Sequence, residues 1–239
     1  MAYSTENLFQ KVKQVYATFP FLSDFEHHFP EGEVYLVGGA VRDFLLCRDT
    51  KDTDFLIRKV PAARLHAFLQ RHGTVHFVGK NFGVYKFRSA GSDVEVDVAL
   101  PRTERSFSNK GAYRDFEIFT DSDLPIEEDL IRRDFTINAM AVDMRRLAFI
   151  DPFAGLKDLE AGWLRAVGDP VLRFSEDYSR LLRGLRFACQ LHFQFEPVTW
   201  KALCQGIRFI NSKKEDGTFI VPRETIAKEL LRALVCDPV

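Results

Sequence analysis

The sequence predicts an α+β fold, with strands and helices intermixed over residues 1–150 and an all-helical segment over residues 151–239. Three observations carry this prediction. Short apolar or alternating runs at 34–37, 55–57, 84–88 and 94–100 have the length and period of strands. Between and before them lie stretches of helical period, at 5–19 and 61–72. From Asp151 onward the strand signals stop and helical periods take over.

Composition bounds the function classes. Apolar residues make up 46% of the 239, and 23 Phe dominate the aromatic share, so a sizeable core is available. The 33 basic and 34 acidic residues leave a net charge of −1, which excludes a whole-chain basic footprint for nucleic acid. Any RNA contact has to come from a local patch. Cys47, Cys189, Cys204 and Cys236 show no CxxC spacing and read as buried thiols of a reducing compartment, not a disulfide frame. The histidines form no ligand spacing, and His27-His28 read as surface. No apolar run approaches about 18 residues and no signal peptide is visible, so a cytoplasmic protein is expected, with no membrane partner.

The first helix, 5–19, places Leu8, Val12, Val15 and Tyr16 on one side. Next comes the stretch around which the chain is organised, VYLVGGAVRDFLLCRDTKDTDFLI at 34–57. Its strand, 34–37, runs directly into Gly38-Gly39, a pair that permits a sharp turn and a close approach to a ligand. A helix over 40–47 follows, with Arg42 in its first turn, an arrangement suited to a phosphate. Asp52 and Asp54 are two apart at the start of a strand, so they share a face. Two carboxylates beside such a turn make a hard-oxygen site of the kind Mg²⁺ prefers. Solvated strand ends carry the same DxD pattern, and only the combination with the strand, Gly-Gly turn and helix favours a site.

Pro61 opens the helix at 61–72 and Gly73 ends it. A short strand at 74–78, a turn at 79–83, and a hairpin of strands 84–88 and 94–100 follow. Glu95 and Asp97 share the polar face of the second hairpin strand. An edge strand with a wet face gives that alternation too. The functional reading makes Asp97 a third carboxylate, holding a second metal or taking a proton from an attacking hydroxyl. Residues 102–128 are polar and without period, an irregular stretch of functional length. Arg132 and Arg133 then offer either a polyphosphate clamp or a surface ion-pair cluster. A final hairpin is expected near Val142 and Phe149-Ile150.

In the second half, 155–161 is a short helix and 165–169 a connector. The clearest helix is expected over 177–193, its apolar stripe made by Leu181, Leu182, Leu185, Ala188 and Cys189. On one such helix Asp177 and Arg180 would be neighbours, forming a salt bridge or offering an acceptor and donors to a base edge. Arg183 lies on that face and Arg186 at its flank. Helices at 198–209 and 223–235 close the chain.

Taken in order, LVGGAVRD with DTD, GKNFGVY, VDVALPRTE, EEDLIRRDFTINAMAVD, DPFAGLKDLEAGWLRAVGDP, RFSEDYSRLLRGLRFA and PRETIAKELLRAL resemble the class II tRNA nucleotidyltransferase and poly(A) polymerase family. This family sits within the polymerase-beta-like nucleotidyltransferases. The resemblance spans about residues 34–235 and implies a mixed-sheet catalytic head, 1–150, followed by a helical neck, 151–239. It implies that Asp52 and Asp54 bind metal and that Asp97 is the third catalytic carboxylate. Gly39 and Arg42 match its nucleotide-phosphate turn, Arg133 its phosphate contact, and Asp134 a group that reads the ribose. Asp177 and Arg180 match an EDxxR element that pairs with the base of CTP or ATP, with Arg183 and Arg186 as further nucleotide contacts. The implied reaction is attack of a tRNA 3′-hydroxyl on the nucleotide α-phosphorus with two Mg²⁺ ions, adding C, A or both. Poly(A) addition, and a nucleotide-binding head-neck fragment without efficient turnover, are the alternatives. Cys47 stands where the family usually has a glycine, and family members usually continue for over a hundred residues beyond this length.

Overall fold

The computed structural model describes residues 5–50, 53–77, 83–106 and 116–236. These fall into two compact units. The first holds the described residues up to Thr103 together with Ile118–Arg132 and Asn138–Pro152. The second holds Arg133–Ile137, the described residues from Phe153 onward and the described part of Glu104–Glu117.

The first unit opens with α1 (Thr5–Thr18) and α2 (Phe21–His28). Pro20 begins the second of these, a short helix that the sequence pattern did not reveal. Then come β1 (Glu33–Val37), α3 (Gly39–Leu45), β2 (Asp54–Arg58), α4 (Ala62–His72), β3 (Gly73–Phe77), β4 (Val84–Ser89) and β5 (Glu95–Ala99). Next are β6 (Arg102–Ser106) and β7 (Phe116–Thr120), which form a two-stranded sheet of their own. Helix α5 (Ile126–Ile131) and the strands β8 (Ala141–Asp143) and β9 (Ala148–Ile150) follow. The expectation of an irregular stretch over 102–128 is therefore corrected in its described part. Arg102-Thr103-Glu104-Arg105-Ser106 carries no apolar residue, so the strand leaves no two-residue hydrophobic period to read.

The main sheet has the order β3-β4-β5-β2-β1-β8-β9. Its pairings are antiparallel except β2 with β5, which run parallel, so the sheet is mixed. The pleat separates two faces. Phe55 and Phe87 are fully buried on one of them. There Phe55 meets Phe19 and Phe21 edge-on at 5.6 and 5.9 Å, and Phe21 meets Phe87 at 4.9 Å. Fully burying each such ring contributes about 2–3 kcal/mol. This packing fixes the register: a one-residue slip would turn Phe55 away from the other rings and put Asp54 among them. The opposite face thereby receives Asp54, Lys86 and Asp97.

The second unit contains α6 (Gly155–Ala161), β10 (Trp163–Leu164), α7 (Pro170–Glu176), α8 (Ser179–Leu191), β11 (Gln194–Phe195), α9 (Pro197–Gly206) and α10 (Arg223–Cys236). It is helical apart from the short parallel pair β10–β11, isolated bridges and the parts of β6 and β7 that fall within Glu104–Glu117. The helix expected over 177–193 is present as α8, two residues shorter at each end, and a further helix that the sequence reading did not include, α7, precedes it. Helix α7 ends at Glu176, Asp177 is extended at φ −153° and ψ 104°, and a new helix starts at Ser179. Helix α7 does carry a readable start: Asp169 accepts hydrogen bonds from the Val171 and Leu172 amides, with Pro170 in the first turn. Within α8, Gly184 permits a close approach. A Cβ there would fall 2.8 Å from Cζ of Phe135 and 3.0 Å from Cε1 of Phe195.

Candidate functional site

The predicted residues gather in two clusters, one in each unit. The first is built on the parallel pair of the main sheet. Asp54 is the first residue of β2, and its register partner on β5 is Asp97. The Asp97 amide donates to the carbonyl of Thr53 at 3.3 Å, closing the ladder beside the two acids. Register partners point to the same face, so the two carboxylates are neighbours in one row. Asp52 lies outside the described residues.

Strand β1 brings the glycine turn to this row. Leu36 pairs with Phe55, so the chain leaves β1 where β2 begins with Asp54. Gly38 turns with φ 73° and ψ −132°, a left-side conformation open to glycine, and its amide donates to the Met140 carbonyl at 3.2 Å. Gly39 then starts α3, which has seven residues. Arg42 is buried in it, with Nη1 donating to Asn138 Oδ1 at 2.7 Å and Nε to Asp43 Oδ1 at 2.9 Å. The guanidinium is thus held in one orientation next to the turn. Asn138 lies 96 residues away in sequence, and no spacing signal could have named it.

Two acids side by side repel unless a cation lies near them. Asp97 already has one such neighbour. Lys86 on β4 is its cross-strand partner, and Lys86 Nζ donates to Asp97 Oδ1 at 3.0 Å. That bond is the main reason the Lys86 ammonium is held above its ordinary pKa. Two in-row carboxylates provide the hard oxygen donors that a divalent cation takes, so the residues present fit such an ion. Among the described residues, no group of three or more His, Cys, Asp or Glu is arranged to hold a metal. His27 and His28 are both exposed, as expected of surface residues; the expected burial of the cysteines is corrected, since Cys47 and Cys204 are exposed and Cys189 is half-buried.

Arg132 is engaged in an ion pair, but a buried one and not the surface pair expected. It donates from Nη2 to Asp129 Oδ1 at 2.6 Å and from Nε to the same oxygen at 2.9 Å, and Asp129 is fully buried. Arg133 belongs to the other unit and is partly buried.

The second cluster joins the RRDF stretch to α7 and α8. The backbone of Asp134 accepts from the Val167 amide at 3.1 Å, and the Thr136 amide donates to Arg165 at 2.9 Å. Asp134 is buried; its Oδ1 accepts from the Phe135 amide and its Oδ2 from Arg183 Nε at 2.7 Å. That carboxylate raises the Arg183 pKa against the effect of burial. Asp177 occupies the break between α7 and α8. Burial pushes its carboxyl above the usual range, opposed by hydrogen bonds from Ser179 and by the charges of Arg180 and Arg183. The idea that Asp177 and Arg180 face each other along one helical turn is corrected, because Asp177 is not helical. Instead Arg180 Nη1 donates to Glu176 Oε2 at 2.6 Å and to the Arg173 carbonyl at 3.1 Å. Arg173 donates to the same Glu176 oxygen at 2.9 Å. Glu176 therefore orients Arg180, a role that the sequence reading missed.

Arg186 lies deeper. Its Nε donates to Glu229 Oε2 at 2.6 Å, its Nη1 to Gln190 Oε1 at 2.7 Å, and it lies 4.2 Å from the Phe187 ring centroid. Burial lowers its pKa and Glu229 opposes that. Its observed partners tie α8 to α10.

Comparison with known proteins shows the family. The description "Poly A polymerase head domain" matches residues 34–165. The chain is 38% identical over 206 residues to a "Multifunctional CCA protein" of Xanthomonas oryzae pv. oryzae, covering 85% of this chain and 46% of that protein. It is 36% identical to a "CCA-adding enzyme" of Streptococcus suis, covering 79% of this chain and 44% of that one. Among solved structures, it is similar to the Bacillus stearothermophilus CCA-adding enzyme in complex with CTP. That match has a TM-score of 0.73 and 27% identity, covering 91% of this chain and 47% of the other. The Thermotoga maritima CCA-adding enzyme complexed with tRNA matches with a TM-score of 0.71 and 25% identity, covering 99% and 52%. The chain spans about half the length of the curated relatives it matches.

Proposed function

The chain belongs to the family of the poly(A) polymerase head domain, and from that premise we propose that it is a template-independent RNA nucleotidyltransferase. It adds C, A or both from CTP and ATP to the 3′ end of tRNA and releases pyrophosphate. The observation that carries this reading is the in-register pair Asp54–Asp97 on adjacent parallel strands, with the Gly38-Gly39 turn at the head of the row. The CTP and tRNA complexes named for the structural relatives support the choice of substrates.

In this reading Asp54 and, by its place in the DTD sequence, Asp52 hold divalent metal, with Mg²⁺ the natural ion for hard oxygen ligands. When bound, the metal neutralises charge on the transferring phosphoryl group. Asp97 adds the third carboxylate, which accepts the proton of the attacking 3′-hydroxyl or a further metal bond. The Gly38-Gly39 turn lets phosphate oxygens approach the backbone, and Arg42, oriented by Asn138 and Asp43, supplies a fixed positive charge. Arg133 is a second phosphate contact, and Asp134 reads the ribose. Asp177 and Arg180 choose the base by hydrogen bonds to its edge, and Arg183 and Arg186 complete that cluster. Catalysis is then positioning and charge neutralisation.

No described helix is long and apolar enough to cross a membrane, and the proposed place of work is the cytoplasm, where tRNA is processed. The test is incorporation of labelled CMP and AMP into tRNA lacking its 3′ end, followed by product sequencing. Mg²⁺-dependent addition that is lost in Asp54→Asn and Asp97→Asn is the expected result. Undiminished turnover in both variants rejects the assignment. The family description favours one second reading, poly(A) addition, and long A-only products would select it. Nucleotide binding without incorporation would reduce the chain to a binding module.

A further inference from the structure

Lys86 plays no part in the reading above, yet the sheet places it in the carboxylate row. It is the register partner of Asp97 across β4–β5, and Asp97 is the register partner of Asp54 across β2–β5. Lys86, Asp97 and Asp54 therefore occupy consecutive strands on one face. The flanking residues Tyr85 and Phe87 are buried on the opposite face, so the pleat holds Lys86 on this side. Its ammonium lies 3.0 Å from Asp97 Oδ1 and 3.4 Å from Glu95 Oε1. The Lys86 side chain is 43% exposed, so it is able to leave Asp97 without opening the core.

We infer that Lys86 sets the metal requirement of this site: its ammonium occupies an oxygen of Asp97 and competes there with a divalent cation. The inference rests on the nucleotidyltransferase reading, which assigns the metal to this row. Its physical basis is charge. A divalent ion entering beside Asp97 either displaces the ammonium or bears its repulsion, and both outcomes weaken binding. Glu95, on the other side of the ammonium, retains it near the row. Half-exposed ion pairs of this kind correspond to about a two- to fivefold change in an equilibrium constant. Lys86 is thus a specificity-determining residue that keeps the row from filling at low divalent concentration.

The test is Mn²⁺ binding to the nucleotide-free chain, read from the electron paramagnetic resonance of unbound Mn²⁺. Lys86→Met should tighten binding about two- to fivefold, and Lys86→Arg should leave it near wild type. In an Asp97→Asn background, Lys86→Met should have no effect. Unchanged or weaker binding in Lys86→Met overturns the inference, as does tightening that persists without the Asp97 carboxylate. Asp54→Asn and Asp97→Asn separate the two levels. If neither weakens Mn²⁺ binding, the metal reading falls and takes this inference with it. If both weaken it and Lys86→Met does not move it, only the role of Lys86 is lost. Circular dichroism on each variant confirms that the sheet is intact.

Discussion

Arg183 donates its Nε to Oδ2 of Asp134 at 2.7 Å, tying α8 to a carboxylate 49 positions earlier in the chain. The Asp134 side chain is 7% exposed and the Arg183 side chain 39%, so the acid depends on this partner far more than the base does. Arg183→Ala leaves the carboxylate buried with one charged partner removed. The expected cost is about 1–3 kcal/mol, discounted from a fully buried pair because the arginine is in part solvated. Denaturant unfolding of Arg183→Ala, Asp134→Asn and the double variant measures it. A coupling energy near zero in that cycle would show that the two groups act independently.

The Arg186–Glu229 pair should behave differently, since both side chains are below one-tenth exposed. Removing only Glu229, as in Glu229→Ala, strands a buried guanidinium and should cost about 3–5 kcal/mol. Replacing both, as in Arg186→Met with Glu229→Leu, should recover most of that loss. A double variant as unstable as the single one would mean that the pair holds α8 to α10 by shape and not by charge.

Asp177 supplies a pH signature. Burial raises its folded-state pKa above the ordinary 3.8, so the folded chain binds the proton more tightly than the unfolded chain. Its stability contribution is fully present below the unfolded value and is lost as pH rises through the raised folded value. Asp177→Asn keeps the acceptor for the Ser179 amide and cannot ionise. It should therefore stabilise the chain at neutral pH, with the advantage vanishing below about pH 3.8. Unfolding free energies across that range decide the matter, and an advantage that is flat with pH contradicts the burial argument.

Asp54 and Asp97 stand on different footing, because their proposed role is chemical. Asp54→Asn should lower nucleotide incorporation by about a thousandfold or more, equivalent to about 4 kcal/mol of transition-state stabilisation. Its melting temperature should hold or rise, since the substitution relieves repulsion with Asp97. Loss of activity together with collapse of the fold would assign Asp54 a structural role instead.

Much of this molecule is written in local pattern. The β1 run, the glycine pair and the Asp54 strand are readable because a short apolar run and a left-side turn each leave a mark within a few residues. The same holds for α4, α9 and α10. Where the signal failed, the reason is physical. The polar run at β6 pairs through backbone hydrogen bonds, which any residue but proline supplies. Helix α7 escapes the pattern because its seven residues are too short to display a helical period, although Asp169 and Pro170 mark its start.

Residue type and order alone determined that an acid, Asp54, opens a strand beside a glycine turn and a buried-strand signal, with a helical segment to follow. Only the tertiary structure decided which distant groups meet. It set Lys86 on Asp97, Asn138 on Arg42, Arg183 on Asp134 and Glu229 on Arg186, because sheet register and helix packing bring together residues with no spacing rule between them. Local sequence specifies conformation within a few residues; a partner tens of residues away is selected by the burial of whole faces, as Phe55 and Phe87 select the face on which Asp54 and Lys86 emerge.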